Sequence, residues 1–157
     1  GGNDGCLNTY ESINGVQAST TGNIYGIYDM SGNSWERVSA YVSNGNSNLN
    51  TYGSSIISAN AKYKDVYTMG ATDTQTDNYA TAINKKGEAV YETSNNINGA
   101  YSWFSDYSYM PNTSYSWFVR GGGWSSGSGA GLFSFSRTDG GPSSNGFRPV
   151  VLVGTGL

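Results

Sequence analysis

Few side chains in this sequence could do acid, base or nucleophilic chemistry. Histidine is absent and Cys6 is the only thiol among 157 residues. That excludes Cys/His zinc sites, a Cys–His dyad and a Ser-His-Asp triad. Among the carboxylates, Glu36 stands out because it follows Trp35, and a carboxylate beside so large an apolar ring needs a partner. Three roles are open to it: an ion pair with Arg120 or Arg148, hydrogen bonds from backbone amides, or an oxygen ligand for calcium together with carbonyls of the Ser31–Ser34 turn. No other cofactor is expected. What remains is recognition chemistry. Tyr and Trp supply apolar bodies with polar tips, and the abundant Ser, Asn, Thr and Gly supply adaptable hydrogen-bonding groups.

The elements that must position these groups are read from punctuation and periodicity. The length is that of one domain, and the richness in Gly, Ser, Asn and Thr points to loops and short strands with few helices. A net charge of −3 with no basic run argues against nucleic acid as a partner. No segment approaches the roughly 20 apolar residues of a membrane helix, so membrane contact is expected only through an anchor upstream of Gly1. Low charge with many Tyr, Asn, Ser and Gly suggests an extracellular setting, where Cys6 is either half of a disulfide with an upstream partner or a free thiol.

Residues 1–22 read as irregular, apart from a short helix over Leu7–Ile13. Ile24, Ile27, Tyr28 and Met30 form an apolar cluster, Ser31-Gly32-Asn33 marks a turn, and Trp35, Arg37 and Val38 begin a strand with Trp35 facing inward. Burying that indole is worth at most about 4–6 kcal/mol. Residues 43–60 read as a surface loop, Lys62–Tyr67 as a short strand anchored by Tyr63 and Tyr67, Thr72–Asn78 as a polar loop, and Lys85–Thr93 as a peripheral helix. The motif Tyr101-Ser102-Trp103-Phe104 returns once, as Tyr115-Ser116-Trp117-Phe118, and both copies are expected to face the core rather than a ligand.

Two Arg/Gly/aromatic motifs then bracket a Gly/Ser run: Arg120-Gly121-Gly122-Gly123-Trp124 and Gly146-Phe147-Arg148-Pro149. Composition alone would make the run a linker. Leu132-Phe133-Ser134-Phe135-Ser136 alternates like a half-buried strand, however, and Val150–Val153 closes with another, so the run is fastened at both ends.

Tyr28-Asp29-Met30-Ser31-Gly32-Asn33-Ser34-Trp35-Glu36, Arg120-Gly121-Gly122-Gly123-Trp124, Arg137 and Gly146-Phe147-Arg148 resemble, in order, the signature of the formylglycine-generating-enzyme type of C-type lectin fold. The resemblance implies an α+β domain over residues 1–157, with short antiparallel strands, and Trp35, Glu36, Arg120, Arg137, Phe147 and Arg148 as its scaffold. Enzymatic members use cysteines between the two clamps or iron-binding histidines. Residues 120–148 hold no Cys and the chain no His, so an enzyme is not expected.

The chain is similar, more closely, to the variable proteins of diversity-generating retroelements, and among them to pilin-like adhesins of gut bacteria. In those proteins a reverse transcriptase varies adenines of Asn codons near the C-terminus. Gly123, Ser125, Ser126, Gly129, Ser136, Asp139, Gly141, Ser143 and Ser144 all have codons reachable that way, and Asn145 would be the unchanged codon. Segment 120–148 lacks Lys, Glu, Gln and Met, which such changes cannot produce. The resemblance therefore implies a ligand-binding region over about 120–148, with Trp124 as a fixed aromatic contact and Phe133 and Phe135 as framework. It also implies display at a cell surface or on a pilus, and a protein or glycan partner on another cell or phage. An invariant carbohydrate-binding lectin or a structural pilin subunit is the alternative.

Overall fold

A six-stranded mixed sheet carries the domain. The structure, a computed structural model, describes residues 9, 11–27, 32, 34–68, 74–82, 89–141 and 145–147. The strands are β1 (Glu36–Ser43), β2 (Asp65–Thr68), β3 (Asn98–Gly99), β4 (Ser108–Tyr109), β5 (Trp117–Arg120) and β6 (Phe135–Thr138), in the order β2-β1-β5-β6-β4-β3. The pairs β1–β5, β5–β6 and β3–β4 run antiparallel, as expected; β1–β2 and β4–β6 run parallel, which is a correction. With helices α1 (Ser47–Ser58) and α2 (Gln75–Ala82) and the single turn α3 (Ala89–Glu92), the class is α+β.

Alternation along β1 and β5 builds two cores, one on each face of the sheet. Ala40, Val42, Phe118 and Phe135 face one way and pack with Tyr67, Val90, Ile97 and Met110. Tyr41 and Trp117 face the other way and pack with Leu49, Ile56 and Ile57 of α1. Phe118 is the hinge of the first core, with its ring 4.9 Å from that of Tyr67 and 6.2 Å from that of Phe135.

That second core is why residues 47–58, expected as loop, form a helix. Their intrinsic propensity is poor, but Leu49, Ile56 and Ile57 recur at helical spacing and bury against Trp117. The helix starts at a cap: Asn46 Oδ1 accepts a hydrogen bond from the Asn48 backbone amide at 2.8 Å, and Asn46 Nδ2 donates to the Thr113 carbonyl at 2.6 Å. Asn46→Ala is expected to cost about 1 kcal/mol in urea unfolding, with Asn46→Ser recovering the cap portion. Residues 75–78, expected within the polar loop Thr72–Asn78, instead open the helix α2, which runs on to Ala82. Thr74 Oγ1 accepts from the Asp77 amide and donates to its carboxylate, and the buried Asn78 donates to the Pro111 carbonyl at 3.0 Å.

Other expectations are corrected in detail. The strand expected at Lys62–Tyr67 begins at Asp65; Tyr67 is buried but Tyr63 is exposed. Of the helix expected at Lys85–Thr93, α3 covers Ala89–Glu92, while residues 85–88 lie outside the described residues. Glu11–Ile13 form a turn rather than a helix end; Leu7, Asn8 and Tyr10 lie outside the described residues, as does Cys6. Ile24 and Ile27 are exposed, so they build no core; Tyr28 and Met30 lie outside the description. The strand expected from Leu132 begins at Phe135, and Leu132 is exposed. The closing strand at 150–153 lies outside the described residues.

Candidate ligand-binding face

The β5–β6 hairpin carries the Gly/Ser run, and its register decides which residues lie together. Arg120 pairs with Phe135 and Trp117 with Thr138. The loop from Gly121 to Ser134 therefore leaves one end of the hairpin, and Asp139–Gly141 leaves the other. Three residue steps, about 10 Å of strand, lie between these ends. The chain then returns, because the Gly146 amide donates to the Trp35 carbonyl at 2.7 Å and the Arg37 amide donates to the Gly146 carbonyl at 2.9 Å. Asn145 thus belongs with the long loop, whereas Asp139 and Gly141 do not.

Under the long loop lies a row of rings. Trp35 stacks on Tyr107 with centroids 6.5 Å apart, and Tyr107 meets Tyr109 edge-on at 5.7 Å. The Arg137 guanidinium sits 5.8 Å from the Tyr109 ring and 5.7 Å from that of Tyr115, and donates to the Met110 carbonyl at 3.1 Å. Burial pulls its pKa below the usual guanidinium value, partly offset by Tyr115 and Tyr109. Trp35 is half-buried, a little less enclosed than a core residue, because it supports the loop: a Cβ on Gly123 would stand 3.0 Å from its ring. A Cβ on Gly129 would stand 2.6 Å from the ring of Tyr107.

Asp106 ties the loop down from a different strand connection. Its buried carboxylate accepts from the Phe133 amide at 3.1 Å, and it packs so closely on Gly131 that no side chain fits there. The Tyr107 amide donates to the Gly129 carbonyl and the Phe135 amide to the Tyr107 carbonyl, each at 2.9 Å. Burial raises the Asp106 pKa, and the Phe133 amide lowers it by less. A carboxyl whose folded pKa exceeds its unfolded value favours folding most below the unfolded value. That advantage is lost as pH rises through the folded value. Unfolding Asp106→Asn beside the parent from acid to neutral pH should therefore show the difference moving in the variant's favour as pH rises. A difference independent of pH would refute the assignment.

The expected contact residues divide on this framework. Trp124 (62% exposed) and Ser125 project into solvent at the crown of the loop. Ser126 and Asn145 are half-buried, and Ser126 Oγ accepts from the Gly123 amide at 2.9 Å. Gly123, Gly129 and Gly141 are buried, and the close approaches at the first two leave little room for other side chains. Ser136 is half-buried within β6, opposite Val119. Asp139 is exposed at the far end and accepts from the Gly141 amide at 2.9 Å. Ser143, Ser144 and Arg148 lie outside the described residues. Among the expected framework residues, Glu36 lies opposite Arg120 in the β1–β5 register, and Arg120 lies over the Phe135 ring at 5.6 Å. Phe147, by contrast, is 76% exposed and braces nothing in the core.

Three features escaped the sequence reading. Arg37 donates through both terminal nitrogens, to the Gly140 carbonyl at 2.8 Å and the Gly141 carbonyl at 2.5 Å, and so holds the far turn. Asp106 is the second. Its only signal was a lone acid within an aromatic stretch. The third is the first aromatic echo, expected in the core: Trp103 is 53% and Phe104 88% exposed, while Trp117 and Phe118 of the second copy are buried as expected. Phe104 and Ser105 take φ of 63° and 64°, at a cost of about 1–2 kcal/mol each for non-glycine residues.

No three His, Cys, Asp or Glu side chains gather as a metal site among the described residues, and the Ser31 and Asn33 positions of the calcium expectation lie outside them. No helix among the described residues is long and apolar enough to cross a membrane. Compared with known proteins, the chain matches no family model, no curated sequence and no solved structure.

Proposed function

We propose that the domain is a ligand-binding receptor or adhesin module of the C-type lectin type, displayed at a cell surface or on a pilus, whose loop crown is varied by adenine-directed mutagenesis. The observation that carries this reading is the separation of crown from support. Trp124 and Ser125 project from a loop held by Trp35, Asp106 and Tyr107, so Ser125 can change beside the fixed Trp124 without touching those supports. Aromatic anchors among small adaptable polar residues are the make-up of a paratope, in which a handful of positions carry most of the affinity. The partner is a protein or glycan on another cell or phage, and the module binds rather than catalyses.

On this reading the varied side chains fall at the two ends of the hairpin. Ser125, Ser126 and Asn145 lie at the loop end with Trp124. Asp139 lies at the other end of the hairpin, so a ligand touching both must span the hairpin's length. The test is to sequence the 3′ coding region from independent isolates together with its genomic surroundings. Adenine-linked changes should concentrate at Ser125, Ser126, Asp139 and Asn145, beside a near-duplicate of that region and a reverse transcriptase gene. Changes spread evenly over the chain, with neither neighbour present, would leave an invariant lectin or pilin subunit as the reading.

A further inference from the structure

We propose that the open cleft walled by Ala61–Asp65 is a binding site separate from the loop crown, and that it takes a neutral saccharide. The cleft has a volume of about 490 Å³ and is lined from Asp65 on the edge strand β2 to Arg120 on β5. That volume lies within the range of small-ligand sites. Ala40, which pairs with Asp65 across β1 and β2, is a small side chain at its base. The deeper residues Tyr67, Val90 and Phe118 belong to the core and are nearly inaccessible, so the surface a ligand would meet is mostly polar.

The wall is held in place by its own backbone. Residues Ala61–Tyr63 form one 3-10 turn capped by Asn60, whose side chain accepts from the Lys62 amide and whose carbonyl accepts from the Tyr63 amide, each at 3.0 Å. Ser39 Oγ donates to the Tyr63 carbonyl at 2.7 Å, and the Lys64 ammonium donates to the Ile57 carbonyl. These bonds engage the main chain and Lys64. The Lys62 ammonium, the Tyr63 hydroxyl and the Asp65 carboxylate, by contrast, have no hydrogen bond or ion pair among the described residues. Lys62 touches only the Tyr63 ring, 4.7 Å from its centroid, a contact that occupies none of its three N–H donors. Polar groups carried unengaged on a fixed wall need little ordering when a ligand arrives.

The make-up of that set selects the ligand. An ammonium donates only, a carboxylate accepts only and a phenol does both. Sugar hydroxyls donate and accept alike, so one ring can answer Lys62 and Asp65 together, through the charge-assisted bonds that are the stronger kind. The exposed Tyr63 ring adds an apolar surface with a polar tip. An apolar ligand would leave these polar groups desolvated and unpaired, and an anion drawn to Lys62 would lie against Asp65 in the same wall. The recognising groups precede β2 and lie outside the Gly121–Ser134 loop, so the site does not rest on the reading of the loop crown and is the same whatever residues that crown carries.

Amide NMR of the isotope-labelled full chain tests it, by titration with glucose, galactose, mannose, N-acetylglucosamine and lactose at millimolar concentrations. At least one sugar should shift the signals of Ser39 and of Lys62–Asp65 saturably, and acetate or sulfate at the same concentration should not. Lys62→Met and Asp65→Asn should each weaken the sugar that binds about tenfold. Both side chains are exposed, and thermal melts check that the variants are folded. No saturable shift with any of the five sugars, the same shifts with acetate or sulfate, or affinity that survives both substitutions overturns the proposal. Shifts confined to Trp124, Ser125 and their loop would also overturn it, while leaving the reading of the crown as a ligand-binding face intact.

Discussion

Gly122→Ala should lower the unfolding free energy by about 3–4 kcal/mol and the melting temperature by about 10 °C. Two causes add. Gly122 has φ of 83°, and a Cβ there would lie 2.5 Å from the Ala130 Cα and 2.6 Å from its Cβ. The left-handed conformation alone costs a residue with a side chain about 1–2 kcal/mol, and forcing an atom into packed backbone costs about 1–3 kcal/mol more. The struck atom is main chain, so no rotamer change relieves the contact. Against a total stability of about 5–15 kcal/mol, that is a large fraction. The comparison that gives this result meaning is Ser125→Ala, three residues on. Its side chain is exposed, and its effect should stay within about 0.5 kcal/mol. Thermal melts of the two variants side by side would separate the clamp from the crown. Equal melts would mean that the clamp does not hold the loop.

Phe118→Ala should cost about 3–5 kcal/mol, at the upper end of single truncations in a core. Phe118 is nearly inaccessible and touches both Tyr67 of the edge strand β2 and Phe135 of the hairpin. Its removal opens a cavity between rings too large to collapse into the gap. Denaturant unfolding is the measurement, and a loss below about 1 kcal/mol would place the core elsewhere. The same truncation at Phe104, the aligned position of the echo, should cost nothing comparable, because that ring is exposed and its backbone strained.

That contrast between two identical tetrapeptide motifs shows how much of the molecule was legible in the chain. Tyr-Ser-Trp-Phe carries the same hydrophobicity at both places. At Trp117–Phe118 it falls on a central strand covered on both faces, so both rings are buried. At Trp103–Phe104 it falls on a tight turn between two-residue strands, where no layer covers it. Local composition cannot tell a covered strand from an uncovered turn. The helix at Ser47–Ser58 failed for a related reason: its Asn, Ser and Thr residues spell a loop, and only burial of Leu49, Ile56 and Ile57 against Trp117 makes it helical.

By itself the sequence determined that Cys/His zinc binding and histidine-dependent catalysis are excluded and that the Gly/Ser run is not a free linker. These follow from residue types and from strand alternation, which are local. The tertiary structure alone decided which loop residues share an end of the hairpin, because that depends on the register of β5 against β6. It alone placed Asp106 beneath Gly131 and Phe133, through a hydrogen bond that joins the β3–β4 connection to the β5–β6 loop. The Gly/Ser run is the case where the two meet. Its freedom from large side chains is written in the chain, but the reason for it, rings of Trp35 and Tyr107 packed where a Cβ would stand, exists only once the sheet has closed.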